Sequence, residues 1–530
     1  MKKFILLTTL LLPLIMFSQT QLGSDINGEA SSDQSGISVS INSDGTKVAI
    51  GAYKNNEGGY SSGHVRVYQY SSSSWSQLGS DINGEAAIDY SGQSVSLSSD
   101  GTVVAIGAPN NDGGGDNSGH VRIYQYSGSS WVQLGDDIDG ESLYDNSGYS
   151  ISLSSDGMVV AIGAIANGGD YTGHVRVYSY YNNQWNQRGA DLDGEATGDQ
   201  SGYSVSLSSD GTKVAIGAPF NDANGKSSSG HVRVYRYDLG SWGQLGADID
   251  GEDAGDRSGN SVSLSSDGTK IAIGAYLNDG GGSDSGHVRV YEYSGSSWSQ
   301  LGSDIDGESL YDNSGISVSL SSDGTKVAIG AYGNDGGGSN SGHVRVYEYD
   351  GGSWSQPVVD IDGEAAGDTS GRSVSLSSDG TKVAIGANAN DGGGSNSGHV
   401  RVYDILTPEI SSVSLAADNS TITVTTSLSV YNSSGGSSDL EASDFALSIS
   451  GGSATLTSAT PTSISKTSQS VWVLGVGLTG TPTGGETLTV TPVANSIYYG
   501  TTAMSTSQTG NTASINNIAP TFDAVRLSVN

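Results

Sequence analysis

No cysteine occurs in the 530 residues, so neither a disulfide nor a lipidated N-terminal cysteine supports this chain; packing, hydrogen bonds or bound ions must hold it together. That lack does not argue against export. Basic residues are scarce, 22 Lys and Arg against 56 Asp and Glu, and the clusters that phosphate contacts need are missing, which excludes nucleic acid as a partner. Long apolar runs are missing too, apart from Phe4 to Phe17, which falls short of the ~20 residues of a spanning helix. Lys2 and Lys3 precede that run and small polar residues, Ser18 to Thr20, follow it. This pattern predicts a secretory signal peptide over residues 1–20, a secreted or cell-surface protein, and no transmembrane span. Removing Lys2 and Lys3 leaves 20 basic residues and a formal charge of −36. Apolar residues at helical spacing are absent beyond the N-terminus.

What is present is glycine (79), tyrosine (27) and abundant Ser, Thr and Val, the composition of many short strands joined by tight turns. The seven histidines, His64, His120, His174, His231, His287, His343 and His399, all stand in Gly-His-Val-Arg followed by Val or Ile and Tyr, in a repeat of about 56 residues. One unit holds four strand candidates: Ile316 to Leu320, Lys326 to Ala331, His343 to Tyr349, and a fourth beginning near Trp354. Ser-Asp-Gly at Asp323-Gly324 is a two-residue hairpin signal. Alternation puts His343, Arg345 and Tyr347 on one face, Val344 and Val346 on the other.

One such unit buries too little to fold alone, so the copies must stack. Trp75, Trp131, Trp185, Trp242, Trp298 and Trp354 follow the first six third strands and are expected between neighbouring units, whereas after Tyr403 no fourth strand remains. Gln21 to Asn27 reads as that missing strand. It is predicted beside His399 to Tyr403, closing a ring and removing its edges. The fold class is therefore all-β: a seven-bladed propeller of four-stranded antiparallel blades over residues 21–406.

The stretch S-G-x-S-V-S-L-S-S-D-G-T-x-V-A-I-G-A, then a Gly-rich loop and G-H-V-R-V-Y, resembles the FG-GAP repeats of integrin-α-like propellers. Gly107-Ala108-Pro109 and Gly217-Ala218-Pro219 keep the Gly-Ala-Pro signature; Tyr53, Tyr276, Tyr332, Ile165 and Asn388 replace the proline elsewhere. The resemblance implies a propeller used for extracellular binding. Integrin-type repeats often carry a D-x-D-x-D-G calcium loop between the first two strands, but here that hairpin is a bare Ser-Asp-Gly, so calcium does not carry over to it.

Two other places could hold chemistry. D-x-[N/D]-G-E-x-x-x-D recurs in all seven copies, with Asp304, Asp306, Glu308 and Asp312 as one set and Asp248, Asp250, Glu252 and Asp256 as another. Hard cations such as Ca²⁺ take six to eight oxygens, which makes calcium the candidate cofactor; ordinary turn chemistry explains the same residues. The loop between the second and third strands differs among copies, and surface loops on a rigid scaffold carry binding, so Tyr60, Tyr171, Lys226, Asn334 and Asp335 are candidate ligand residues. No copy is singled out for catalysis, and no catalytic residue is assigned.

After Tyr403 acidic residues thin out, five of the nine prolines appear, and Ser/Thr/Val alternation dominates. Residues 407–516 read as a second all-β domain that resembles bacterial Ig-like modules acting as stalks or spacers. Pro408-x-Ile410-x-x-Val413-x-Leu415 recurs as Pro520-x-Phe522-x-x-Val525-x-Leu527, so the tail, 517–530, reads either as the first strand of a further, truncated copy or as a strand that caps the sandwich. The expected function is recognition or adhesion, by a monomer, of an extracellular protein or glycan. A matrix component without a specific ligand and a propeller glycoside hydrolase or lyase are the competing classes.

Overall fold

A computed structural model describes residues 19–517 except 167–168, 406–407, 435–437 and 500–501. The predicted signal peptide, apart from Gln19 and Thr20, and the tail beyond 517 lie outside the described residues. Residues 19–405 form one compact unit and 408–517 another.

The larger unit is all-β. Seven blade-like antiparallel sheets share one strand order, a pattern consistent with a propeller. In the sixth, the rows run Ser317–Leu320, Lys326–Ala331, His343–Tyr349, and then a fourth row in two pieces, Trp354–Ser355 and Ile361–Asp362, both paired with the third. Val327, Ala328 and Ile329 are buried on both faces, as expected of a strand covered by neighbours on each side. The hairpin differs from the two-residue turn expected. Leu320 pairs with Val327, and only Gly324 is left-handed, at φ +65°. Asp323 stabilises the longer turn by accepting from the Thr325 amide and hydroxyl and from the Ser321 hydroxyl, contacts that also hold its carboxyl low despite partial burial.

Cores lie between sheets rather than within them. Val288, Val290 and Ile305 of the fifth sheet pack against Val318, Leu320 and Ile329 of the sixth. Serines of the innermost strand add polar ties: Ser317 Oγ donates to the Gly371 carbonyl of the next sheet (2.8 Å), and Ser319 Oγ accepts from the Leu376 amide (2.9 Å). All seven sheets make the first of these bonds, and Ser373 to Gly36 O completes the cycle. The six tryptophans do lie between sheets, each Nε1 donating to a carbonyl of the preceding one, as from Trp354 to Leu301 O at 2.7 Å.

The seventh sheet is closed as the sequence predicts. Gln21 pairs with Tyr403, Ile26 with Val400 and Asn27 with His399. Leu22 and Ile26 are buried in the core shared by the last and first sheets, together with Val39, Ile50, Val400 and Val402.

Residues 408–517 form a four-stranded sheet (Ile410–Leu415, Thr421–Thr426, Val471–Gly475, Ile464–Ser468) and a three-stranded one (Phe445–Ser450, Thr487–Pro492, Thr512–Ser514) around a single core that includes Phe445 and Trp472. Two carboxylates are buried in this unit, Asp444 and, more deeply, Glu486. Glu486 accepts from the amides of Ser453, Ala454, Thr483 and Gly484 and from the Thr483 hydroxyl. Burial alone would raise its pKa, but these bonds hold it at about 2. A carboxyl lowered in the folded state stabilises above its unfolded value near 4.5 and loses that contribution as pH falls toward 2. Calorimetry of the full chain between pH 6 and pH 2.5 should show this unit's transition falling across that window. Glu486→Gln should melt lower at pH 6 and flatten the profile; a parallel profile in the variant would refute the assignment.

Candidate functional site

Third strands place His and Arg side by side, pointing into the seam with the preceding sheet. His343 and Arg345 are buried, 1% and 4% exposed. Arg345 Nη2 donates to the Asp306 carbonyl (2.7 Å), and its Nη1 lies 3.5 Å from Glu308 Oε1, both on the connection leaving the preceding sheet. The same pair of contacts ties Arg289 to Asp250 O (3.0 Å) and to Glu252 Oε1 (3.2 Å). The repeated arginine is thus a clamp between neighbours. Burial, reinforced by the adjacent guanidinium, pushes His64, His120, His287, His343 and His399 down to about 4 and lowers His174 and His231, so the imidazoles are neutral at pH 7.

The carboxylate set expected to act together within one repeat is divided by the fold. Asp304 accepts from Gln300 and lies 3.7 Å from His287 in its own sheet. Asp306 pairs across the ladder with His287, while Glu308 turns to Arg345 of the next sheet. Burial raises the Asp306 and Glu308 carboxyls, Asp304 adding to the first and Arg345 opposing the second. Asp312 is buried, accepting from Asn334 Nδ2 (3.1 Å) and the Ser309 amide (3.0 Å). The second set follows suit. Asp248 faces His231, Asp250 accepts from Asn224, Glu252 meets Arg289, and Asp256 accepts from Asn278. The oxygens of one repeat therefore serve partners in two sheets, a consequence of a connection that crosses a seam.

Of the loop candidates, Tyr60 and Tyr171 are exposed and so is Asp335, which accepts from the Asn340 amide. Lys226 reaches the neighbouring connection, to Asp253 Oδ1 (3.1 Å) and the Glu252 carbonyl. Asn334 is turned inward. It is buried, bonds to Asp312 and accepts from the Gly336 amide, so it pins the loop instead of facing a ligand.

Sequence reasoning missed a group on the same loop face. Ile88, Leu143, Tyr144, Leu310 and Tyr311, on the connections between sheets, are exposed apolar side chains. Ile88, Tyr144 and Tyr311 also have left-handed backbone, φ +73°, +65° and +65°. At the equivalent position other copies carry Gly255 and Gly367, whose amides donate to the neighbouring loop as that of Tyr311 does to Ser283 O. Glycine in some copies and a bulky residue in others was the available signal. A second divergence lies near the start of the innermost strands, where the Tyr149 and Tyr203 rings meet at a 50° tilt with centres 5.0 Å apart, Tyr203 meets Phe220, and Arg257 sits 3.8 Å from the Phe220 ring centre.

Segments 83–124, 192–235 and 248–291 match the family model for the FG-GAP repeat. Each runs from the end of one sheet to the third strand of the next, and so contains one whole seam connection. The chain thus carries FG-GAP repeats in a fold of repeated four-stranded antiparallel sheets. No curated protein matches the sequence. Among solved structures, Kuenenia stuttgartiensis hydrazine synthase is similar at a TM-score of 0.45 and 13% identity, covering 70% of this chain and 95% of that one.

Proposed function

We propose that this protein is an exported recognition protein: a seven-bladed, integrin-α-like propeller whose loop face binds an extracellular protein or glycan, joined to an Ig-like spacer. The FG-GAP matches and the closed cycle of sheets support the propeller, and the two-sheet C-terminal unit supports the spacer. The observation that carries recognition is the exposed, left-handed trio. A side chain in that backbone region costs about 1–2 kcal/mol that glycine avoids. Tyr144 and Tyr311 accept this cost while standing in solvent, where they bury no core. Strain of this kind is retained where a surface needs the side chain, and tyrosine beside carboxylates suits both sugar rings and polypeptide.

Replacing both with glycine separates the two effects. The double variant Tyr144→Gly/Tyr311→Gly should melt at or above the wild-type temperature yet lose most binding on glycan and extracellular-protein arrays. Unchanged binding would remove this face as the recognition surface. Cleavage of a probed polymer would instead favour the hydrolase reading, and no binding at all the matrix reading.

A further inference from the structure

At the seam between the last and first sheets, four donors converge that no repeat brings together alone. Glu29 comes from the segment that closes the ring, Glu57 from the first sheet's loop, His64 from its third strand and Asp81 from the connection that follows. Each offers one ligand atom, and all lie within 4.8 Å of one another. His64 is 1% exposed, and its Nδ1 has no hydrogen-bond partner. The nearby carboxylate oxygen, Asp81 Oδ2, stands 3.6 Å away, too far for a hydrogen bond. That spacing is close to the edge of a tetrahedron whose ligands lie about 2.0–2.2 Å from a central ion. Three carboxylates gather here against one guanidinium, Arg66, which takes Glu29 Oε1 at 3.2 Å. The excess negative charge and the idle imidazole nitrogen lack the same thing, a cation.

We propose that Glu29, Glu57, His64 and Asp81 bind a divalent cation of Zn²⁺ type, with the His64 nitrogen and three carboxylate oxygens as ligands. One nitrogen among oxygens favours a borderline ion over Ca²⁺, which takes oxygen ligands in larger number. Three-donor versions recur at other seams, among them Glu85, His120 and Asp137, and Glu252, His287 and Asp304. The first seam differs because its loop supplies Glu57 where the fifth and sixth copies read Asn-Asp-Gly-Gly-Gly. It also differs in consequence. Glu29 follows directly on the ring-closing segment, so the ion ties that segment to the first sheet.

The test uses the full chain, stripped with chelator and titrated with Zn²⁺ or Ca²⁺ by calorimetry, with Co²⁺ as a spectroscopic substitute. Zn²⁺ should fill one tightest class of site and raise the melting temperature, and Co²⁺ should give the visible absorption of four-coordinate nitrogen and oxygen ligation. Glu57 is exposed, so Glu57→Gln should keep the stripped protein's melting temperature while weakening the tightest site at least tenfold; Asp81→Asn should do the same to the binding. Stabilisation by Ca²⁺ but not Zn²⁺, binding by neither ion, or a Zn²⁺ titration unchanged in Glu57→Gln would each overturn the assignment.

Discussion

Removal of residues 19–28 should lower the melting temperature of the repeat unit by roughly 10 °C and make the protein prone to aggregate. The segment supplies two buried side chains, Leu22 and Ile26, to the core between the last and first sheets. Losing buried apolar side chains of this size costs about 2–5 kcal/mol each. Polar losses add to that. The Leu22 amide donates to Val402 O and the Gly28 amide to Gly398 O; Trp75 Nε1 loses its acceptor, Leu22 O, and Arg66 loses Asn27 O. With the segment gone, His399–Asp404 becomes an open edge that can pair with another chain. Scanning calorimetry with size-exclusion chromatography decides the matter: a monomeric deletion variant melting like the wild type would show that the ring does not depend on this strand.

Gly330→Val should be among the most damaging single substitutions in the repeat unit, costing at least ~3 kcal/mol. A Cβ at this position would stand 2.0 Å from the Gly371 carbonyl oxygen of the next sheet and 2.4 Å from Ser317 Oγ. Backbone cannot yield as a flexible side chain can, so the two sheets must part, breaking the Ser317 bond to that same carbonyl. The glycine of Gly107-Ala108-Pro109 has the same surroundings, with Gly148 O at 2.0 Å and Ser94 Oγ at 2.4 Å. This gives the Gly-Ala-Pro signature a physical reason: its glycine marks where neighbouring sheets touch backbone to backbone. Gly243, with nothing within 4 Å of a Cβ, is the control. Gly243→Ala should change stability by no more than about 0.5 kcal/mol. Equal denaturation midpoints for the Gly330 and Gly243 variants would contradict the packing account.

Much of the fold was legible because each repeat states its strands locally. Lys326–Ala331 and His343–Tyr349 have the limits that alternation and Gly-rich boundaries suggested, and the missing fourth strand after Tyr403 pointed to Gln21–Asn27. What one repeat does to the next was not legible. Glu308 and Arg345 stand 37 positions apart, and no periodicity within a strand says that they meet. The carboxylate spacing therefore suggested one calcium-like cluster, where the fold assigns Asp304, Glu308 and Asp312 to different partners. The inward turn of Asn334 was hidden for the same reason: a polar loop residue looks free until the buried carboxylate beneath it is known. Tyr144 and Tyr311 were passed over because left-handed backbone at a non-glycine residue becomes evident only by comparing copies in register.

The pairing of Thr20 with Asp404 joins residues 384 positions apart, whereas the other six sheets of the repeat unit pair strands within their own repeats. This separates the order of synthesis from the order of completion. Six sheets can form as their own repeats emerge, but the seventh must wait for the last third strand, during which the first segment stays unpaired. Closure is then a slow step of high contact order, and the waiting edge is the chain's period of greatest exposure to misassembly.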